Sequence, residues 1–275
     1  HADILIGLKQ AGKAIPYLLR FLEYEPESHD VNSRLANAYF ETGSFKQCLN
    51  TLTSQLHESA GRDTGKLNNI ALCYWNLKQR NRAEEIFNLA LTTTDETDAN
   101  FTTVISNYLL FLSEESRYND CATITEEHIG HINQLPNGDR FRDSIVLNRI
   151  GALSRINGRE DQALSETLSW LDRSDITLEF KTRLLGQLLY HYSMVEESLD
   201  KALEVAKTTL SLIGKVKVLS DEYRATVLNN IMYVSLLVGD YKNAKTVLPH
   251  VAPLVHKLAV PTATFGMYHL LRNDF

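Results

Sequence analysis

The chain has 275 residues, a net charge of −6 at neutral pH and 44% hydrophobic residues. This composition is too apolar for a disordered chain, and the acidic balance disfavours a protein that grips nucleic-acid phosphates. Gly and Pro are sparse, with 13 and 6 residues. Their scarcity favours long helices joined by short loops over many-stranded sheets. We therefore expect an all-helical protein without a nucleic-acid partner.

The cysteines and the hydropathy limit the compartment. Cys48, Cys73 and Cys121 lack Cys-x-x-Cys spacing, which predicts neither a disulfide framework nor a zinc site. We interpret them as buried thiols of a cytoplasmic protein. No apolar run reaches the roughly 18 residues of a membrane helix, so we expect no membrane insertion. Because the chain opens on His1 rather than Met, we expect a fragment of a larger protein.

A small residue recurs along the chain at intervals of 34 to 42 residues. Where a Gly precedes it, at Gly43, Gly158 and Gly239, that Gly stands five residues ahead, where a helix that stops and reverses commonly adopts a left-handed conformation. This pattern predicts helical hairpins in which the small residue, called the anchor here, begins the second helix. The anchors are Ala14, Cys48, Ala83, Cys121, Ala163, Ala202 and Ala244.

The predicted first helices carry a repeated phrase. It reads Leu-Asn-Asn-Ile-Ala at 67–71, Leu-Asn-Arg-Ile-Gly at 147–151 and Leu-Asn-Asn-Ile-Met at 228–232. In the sixth unit Gly186 occupies the place of the leading Leu. Three near-copies at matched phase indicate a true internal repeat.

Residues 67–97 resemble a tetratricopeptide repeat. The signature positions of that family are occupied by Ile70, Ala71, Tyr74, Ala83, Phe87 and Ala90. The longer units resemble the repeats of kinesin light chains and of bacterial multidomain sensors. The resemblance implies an all-α fold, an α-α solenoid in which hairpins form a right-handed superhelix and first helices line its concave groove. The predicted units span about 1–28, 29–60, 63–97, 99–136, 139–175, 176–216 and 219–259, with a partial unit or capping helix at 261–275.

Catalytic motifs are missing from the sequence. It contains no glycine-rich phosphate loop, no Gly-x-Ser-x-Gly elbow and no His-Glu-x-x-His. His128 and His131 share one predicted helix face beside Glu126 and Glu127, which we interpret as a solvated face because no further ligand is indicated. We expect no enzymatic activity, no metal and no cofactor. Pro249 and Pro253 should kink or break the last second helix near residue 249.

In six units the two places after the leading position of the phrase are almost all polar, and six of these twelve places hold Asn. By the resemblance, these residues point into the groove. Asn costs about 0.5–0.7 kcal/mol relative to Ala inside a helix, so its recurrence indicates a use. A side-chain amide offers donors and an acceptor that match a peptide backbone. The predicted groove residues come from these places and from those one turn further on. They are Arg34, Asn37, Asn68, Asn69, Asn107, Asn148, Arg149, Gln187, His191, Asn229, Asn230 and Tyr233.

Two functions are compatible with this pattern. The first is an interaction scaffold that receives a peptide or protein segment in the groove, with Arg34 and Arg149 available to pair with ligand carboxylates. The second is a sensor or regulatory arm of a larger signalling or defence protein, in which ligand capture switches an attached effector. A structural alternative stays open as well, because the amides could simply hold neighbouring first helices together. The sequence does not indicate the oligomeric state.

Overall fold

A computed structural model describes residues 10–56, 63–136, 139–195, 198–217, 219 and 221–252. Within these residues all regular secondary structure is helical. The chain divides into two compact units, His1–Ser116 and Arg117–Phe275.

The first unit contains six described helices. Each packs against the next in sequence, and the first helices α4 and α6 also contact each other. The helices are α1 (Ala11–Leu22), α2 (His29–Glu41), α3 (Phe45–Leu56), α4 (Thr64–Asn76), α5 (Arg80–Thr93) and α6 (Phe101–Glu114).

The second unit contains eight described α-helices and one π-helix. First helices pack on their second helices and on the neighbouring first helices. The elements are α7 (Tyr118–Glu127), α8 (Ile129–Gln134), α9 (Arg140–Leu153), α10 (Glu160–Leu171), α11 (Leu178–Tyr190), a π-helix at His191–Val195, α12 (Leu199–Ile213), α13 (Asp221–Leu237) and α14 (Tyr241–Val251).

The seven anchors all lie in the core. Each is at most 2% exposed, as expected of small residues that let two helices of a hairpin approach closely. Ala83, Phe87 and Ala90 are fully buried along one face of α5. The all-α fold of successive helical hairpins, predicted from the repeat period, is confirmed.

The turn before the anchor has one backbone conformation in every unit where it is described. Gly43, Gly158 and Gly239 have φ values of 72°, 82° and 73°. Lys78 and Ser116 stand at the same place, five residues ahead of Ala83 and Cys121, and have φ values of 62° and 58°. The left-handed turn is therefore retained in two units that lack glycine.

One expectation about the helices is wrong. His128 and His131 do not share one helix, because α7 ends at Glu127 and α8 begins at Ile129. The last second helix includes Pro249 and ends two residues later, at Val251, close to the predicted position. Residues 1–9 of the first predicted unit and the predicted capping helix at 261–275 lie outside the described residues.

Candidate peptide-binding surface of the first helices

A chain of hydrogen-bonded amides joins three consecutive first helices of the first unit. Asn107 on α6 donates from Nδ2 to Oδ1 of Asn68 on α4 at 2.9 Å. Asn68 Nδ2 donates in turn to Asn69 Oδ1 at 3.3 Å. Asn69 Nδ2 lies 3.5 Å from Asn37 Oδ1 on α2, a long contact. Four of the predicted groove residues are thus brought together.

These amides differ in exposure. Asn68 is only 5% exposed and lies inside the unit. Asn69 and Asn107 are half-buried, and Asn37 is exposed. Arg34, also on α2, is half-buried and forms an ion pair with Asp30 at 2.9 Å. The amide chain therefore runs from the interior of the unit to its surface.

Arg149 in the second unit lies in the interior rather than on a groove surface. It is 7% exposed. Its Nε and Nη2 donate to the two carboxylate oxygens of Glu166 on α10, each at 2.9 Å. Its Nη1 donates to Thr125 on α7 at 3.1 Å. The guanidinium joins first helix α9 to two second helices, so its expected role toward a ligand carboxylate is replaced by an internal ion pair.

A polar network surrounds that ion pair. Gln162 donates to Glu166 at 3.0 Å. Arg159 binds Glu126, and this contact is the main cause that holds the pKa of Glu126 below its ordinary value. The network links α7, α9 and α10 through side chains that are satisfied by one another.

The other predicted residues of the second unit fall into two groups. His191, in the π-helix, and Asn229, on α13, are buried, and His191 Nδ1 and Asn229 Oδ1 have no hydrogen-bond partner. The remaining four are half-buried on the first helices α9, α11 and α13. They are Asn148, Gln187, Asn230 and Tyr233.

Glu166 is a structural residue that we did not single out from the sequence, although a signal for it exists. It stands three residues after its anchor, Ala163. In four other units that place holds Ile or Val, namely Ile86, Ile124, Val205 and Val247. A carboxylate at a position that is apolar in most other units indicates a buried cationic partner.

Among the described residues, no group of three or more His, Cys, Asp or Glu side chains is placed to hold a metal ion. No helix in the same part of the chain is both long and apolar enough to cross a membrane.

The fold and this surface define a helical-hairpin scaffold. Residues 67–95 match the family model of the tetratricopeptide repeat. This match covers the hairpin of α4 and α5, which is therefore of the tetratricopeptide type, a class that generally serves as a protein-interaction scaffold.

Comparison with known proteins adds support for the fold. No curated protein matches the chain in sequence. A chain of the APC/C hetero-tetramer Cut9–Hcn1 is similar in structure, with a TM-score of 0.50 and 13% identity over 100% of this chain and 52% of that one. At this identity the likeness shows the fold alone.

Two other solved structures are more distant. BtubC (BKLC) from P. vanneervenii has a TM-score of 0.44 and 13% identity, covering 90% of this chain and 88% of that one. A chain of Naa15/Naa10 bound to HypK-THB has a TM-score of 0.45 and 15% identity, covering 100% of this chain and 44% of that one. This chain thus spans about half the length of the Cut9–Hcn1 and Naa15/Naa10 chains.

Proposed function

We propose that this protein is an interaction scaffold that binds an extended or helical peptide segment along its first helices through side-chain amides. In the first unit the contacting residues are Asn37, Asn69 and Asn107. In the second unit Asn148, Gln187 and Asn230 have the corresponding role, with Tyr233 as an apolar neighbour.

The observation that carries this proposal is the unused bonding capacity of Asn37. Among the described residues its amide accepts one long contact through Oδ1, and its two N–H groups have no acceptor. Its neighbour Asn69 accepts from Asn68 and is half-buried. Amides at this place can donate to the carbonyl groups of a peptide without demanding a particular sequence.

The buried and the exposed amides have different tasks in this proposal. Asn68 bonds to both Asn69 and Asn107 from within the unit, so it fixes the spacing of α4 and α6. Asn37 and Asn69 lie further out and face the ligand. In this proposal Asn68 holds the first helices α4 and α6 together, while its neighbours bind the ligand.

The test begins with a peptide selected against the purified chain from a random displayed library. Its Kd is then measured by fluorescence anisotropy for the wild type and for Asn37→Ala/Asn69→Ala. We expect the double variant to bind about tenfold or more weakly, since it loses several peptide hydrogen bonds. Asn50→Ala/Asn81→Ala is the matched control, because both residues are exposed asparagines on the second helices of the same hairpins.

Stability measurements separate the two tasks. Asn68→Ala should lower the free energy of unfolding by about 1–3 kcal/mol, because it leaves the Asn107 amide without its acceptor. Asn37→Ala alone should change it by less than about 1 kcal/mol, because Asn37 accepts only one long contact. Asn37→Ala/Asn69→Ala should cost about 1 kcal/mol or more, because it also removes the acceptor of the buried Asn68 amide. Equal peptide affinity of the wild type and this double variant would show that these amides do not bind the ligand.

A further inference from the structure

A cleft of about 680 Å³ opens in the second unit, where the first helices α9 and α11 begin. Its third wall is the segment after α12. Six charged side chains line it, and we call it the basic cleft. They are Arg140, Asp143, Glu179, Arg183, Lys215 and Lys217. The volume falls within the roughly 300–1,000 Å³ of ligand-binding pockets.

Both carboxylates of the basic cleft are already paired. Asp143 binds the buried Arg142 at 2.9 Å, and burial raises the pKa of Asp143. Glu179 binds Arg183 at 3.0 Å. The charges of Asp143 and Glu179 are therefore balanced by neighbours on their own helices.

Three cationic side chains remain. Arg140, Lys215 and Lys217 are exposed, and no described carboxylate forms an ion pair with any of them. The Arg140 guanidinium lies 4.7 Å from the ring centroid of Phe141, which leaves its N–H groups available. The cleft thus has an excess of positive charge, whereas the whole chain carries a net charge of −6.

The wall between these charges is apolar. Leu147 and Leu178 line the cleft, and Leu178 is 39% exposed. Phe180 and Val216 form buried parts of the same wall. A ligand of this cleft therefore needs carboxylates that reach the cations at the rim and an apolar side chain that packs between them.

We propose that the basic cleft binds an acidic peptide segment, with carboxylates at Arg140, Lys215 and Lys217 and an apolar side chain against Leu178. This site is separate from the proposed amide surface. Arg140 precedes Asn148 by eight residues on α9, about 12 Å along the helix axis.

A peptide fits the cleft better than a nucleic acid does. The lining offers Leu178 rather than an exposed aromatic ring on which a base could stack, since Phe180 is buried. The acidic chain would also repel a long polyanion beyond the three cations of the rim.

The test uses a fluorescein-labelled, acetylated peptide of sequence Glu-Glu-Leu-Glu-Glu-Leu-Glu. Anisotropy titrations compare the wild type with Lys215→Gln/Lys217→Gln at an ionic strength of about 50 mM, where screening is weak. Lys242→Gln/Lys245→Gln is the matched control, because it removes the same charge from two exposed lysines on α14. Thermal melting confirms that all three proteins are folded.

We expect the peptide to bind the wild type and the control equally and the cleft variant about tenfold or more weakly. The same peptide with Gln in place of Glu should not bind. Lys215→Glu/Lys217→Glu should lose the acidic peptide and gain a version in which Lys replaces Glu.

Three results would overturn the proposal. One is the absence of saturable binding to the wild type. Another is an equal loss of affinity in the cleft variant and the control, since that outcome reflects the overall charge. The third is that a thymidine heptanucleotide binds more tightly than the peptide and loses affinity in the cleft variant. That result would show that the cleft binds phosphates. None of these outcomes depends on Asn37 or Asn69, so the amide surface is tested independently.

Discussion

The hydroxyl oxygen of Tyr223, on α13, lies 2.9 Å from the position that a Cβ on Gly186 of α11 would occupy. Val227 lies 3.5 Å from the same position. This close approach explains why Gly186 stands where other units have the leading Leu of the repeated phrase. The next first helix fills the space that a side chain would take.

Gly186→Ala should therefore destabilise the protein by about 1–3 kcal/mol, because the backbone or Tyr223 must shift. Gly151→Ala is the control, since its nearest atoms are side-chain ends at 3.5 and 3.6 Å and a helical Ala is favoured over Gly. Urea unfolding measures both changes. Adding Tyr223→Phe to Gly186→Ala should restore part of the loss, and a lack of any recovery would contradict the steric explanation.

Because the Tyr223 phenol is buried, the free energy of unfolding should depend on pH in the alkaline range. Burial raises its pKa to about 12, above the ordinary value of 10. A raised pKa in the folded state favours the protonated form, so its contribution is fully present below pH 10 and is lost as pH rises toward 12. The wild type should lose up to about 2–3 kcal/mol over this range relative to Tyr223→Phe.

The measurement is urea unfolding of both proteins at about pH 9 and 11, between which about half of this loss, roughly 1–1.5 kcal/mol, should be observed. Tyr241→Phe serves as the control because Tyr241 is exposed, and it should follow the wild type at both pH values. If Tyr223→Phe also follows the wild type, the phenol does not couple folding to pH.

The backbone conformation of Lys78 predicts whether its substitution stabilises or destabilises the protein. Its φ of 62° places an L-residue in a conformation that glycine adopts at the matching positions Gly43, Gly158 and Gly239. Lys78→Gly should stabilise the protein by about 0.5–1 kcal/mol, because relief of left-handed strain exceeds the added entropy of the unfolded chain. Lys207→Gly, at an exposed position inside α12, should cost about 1 kcal/mol. A loss of stability in Lys78→Gly, measured by urea unfolding, would contradict this reasoning.

Two arginines that the sequence pattern placed in one groove should behave differently. Arg149→Met removes one partner of a largely buried ion pair and should lower the free energy of unfolding by about 2–3 kcal/mol. This cost is smaller than for a fully buried pair, because the Glu166 side chain is 26% exposed. Arg34→Met removes an exposed pair with Asp30 and should change stability by less than about 0.5 kcal/mol. Arg149→Met/Glu166→Met should recover most of the loss. Equal effects of the two single variants would show that Arg149 is not a structural residue.

The sequence predicted the hairpins well, because packing at the anchors and the left-handed turn recur with the period of the repeat. It did not predict which way Arg149 points. Successive side chains on a helix point about 100° apart, and the repeated phrase alone does not show which of Asn148 and Arg149 points into the interior. The partner, Glu166, lies in a different helix.

The sequence did not predict the basic cleft either. Its excess positive charge arises because Asp143 pairs with Arg142 and Glu179 pairs with Arg183, so that both carboxylates are neutralised. Lys215 and Lys217 lie in a connection that has no helical period. Composition alone shows only the acidic net charge.

The central claim is that exposed amides of the first helices contact a peptide. The most direct measurement is the NMR spectrum of the side-chain amide groups during titration with the peptide selected from the library. The signals of Asn37 and Asn69 should shift and saturate with the peptide, while those of Asn50 and Asn81 on the second helices should stay in place. Unchanged Asn37 and Asn69 signals at saturation would contradict the claim.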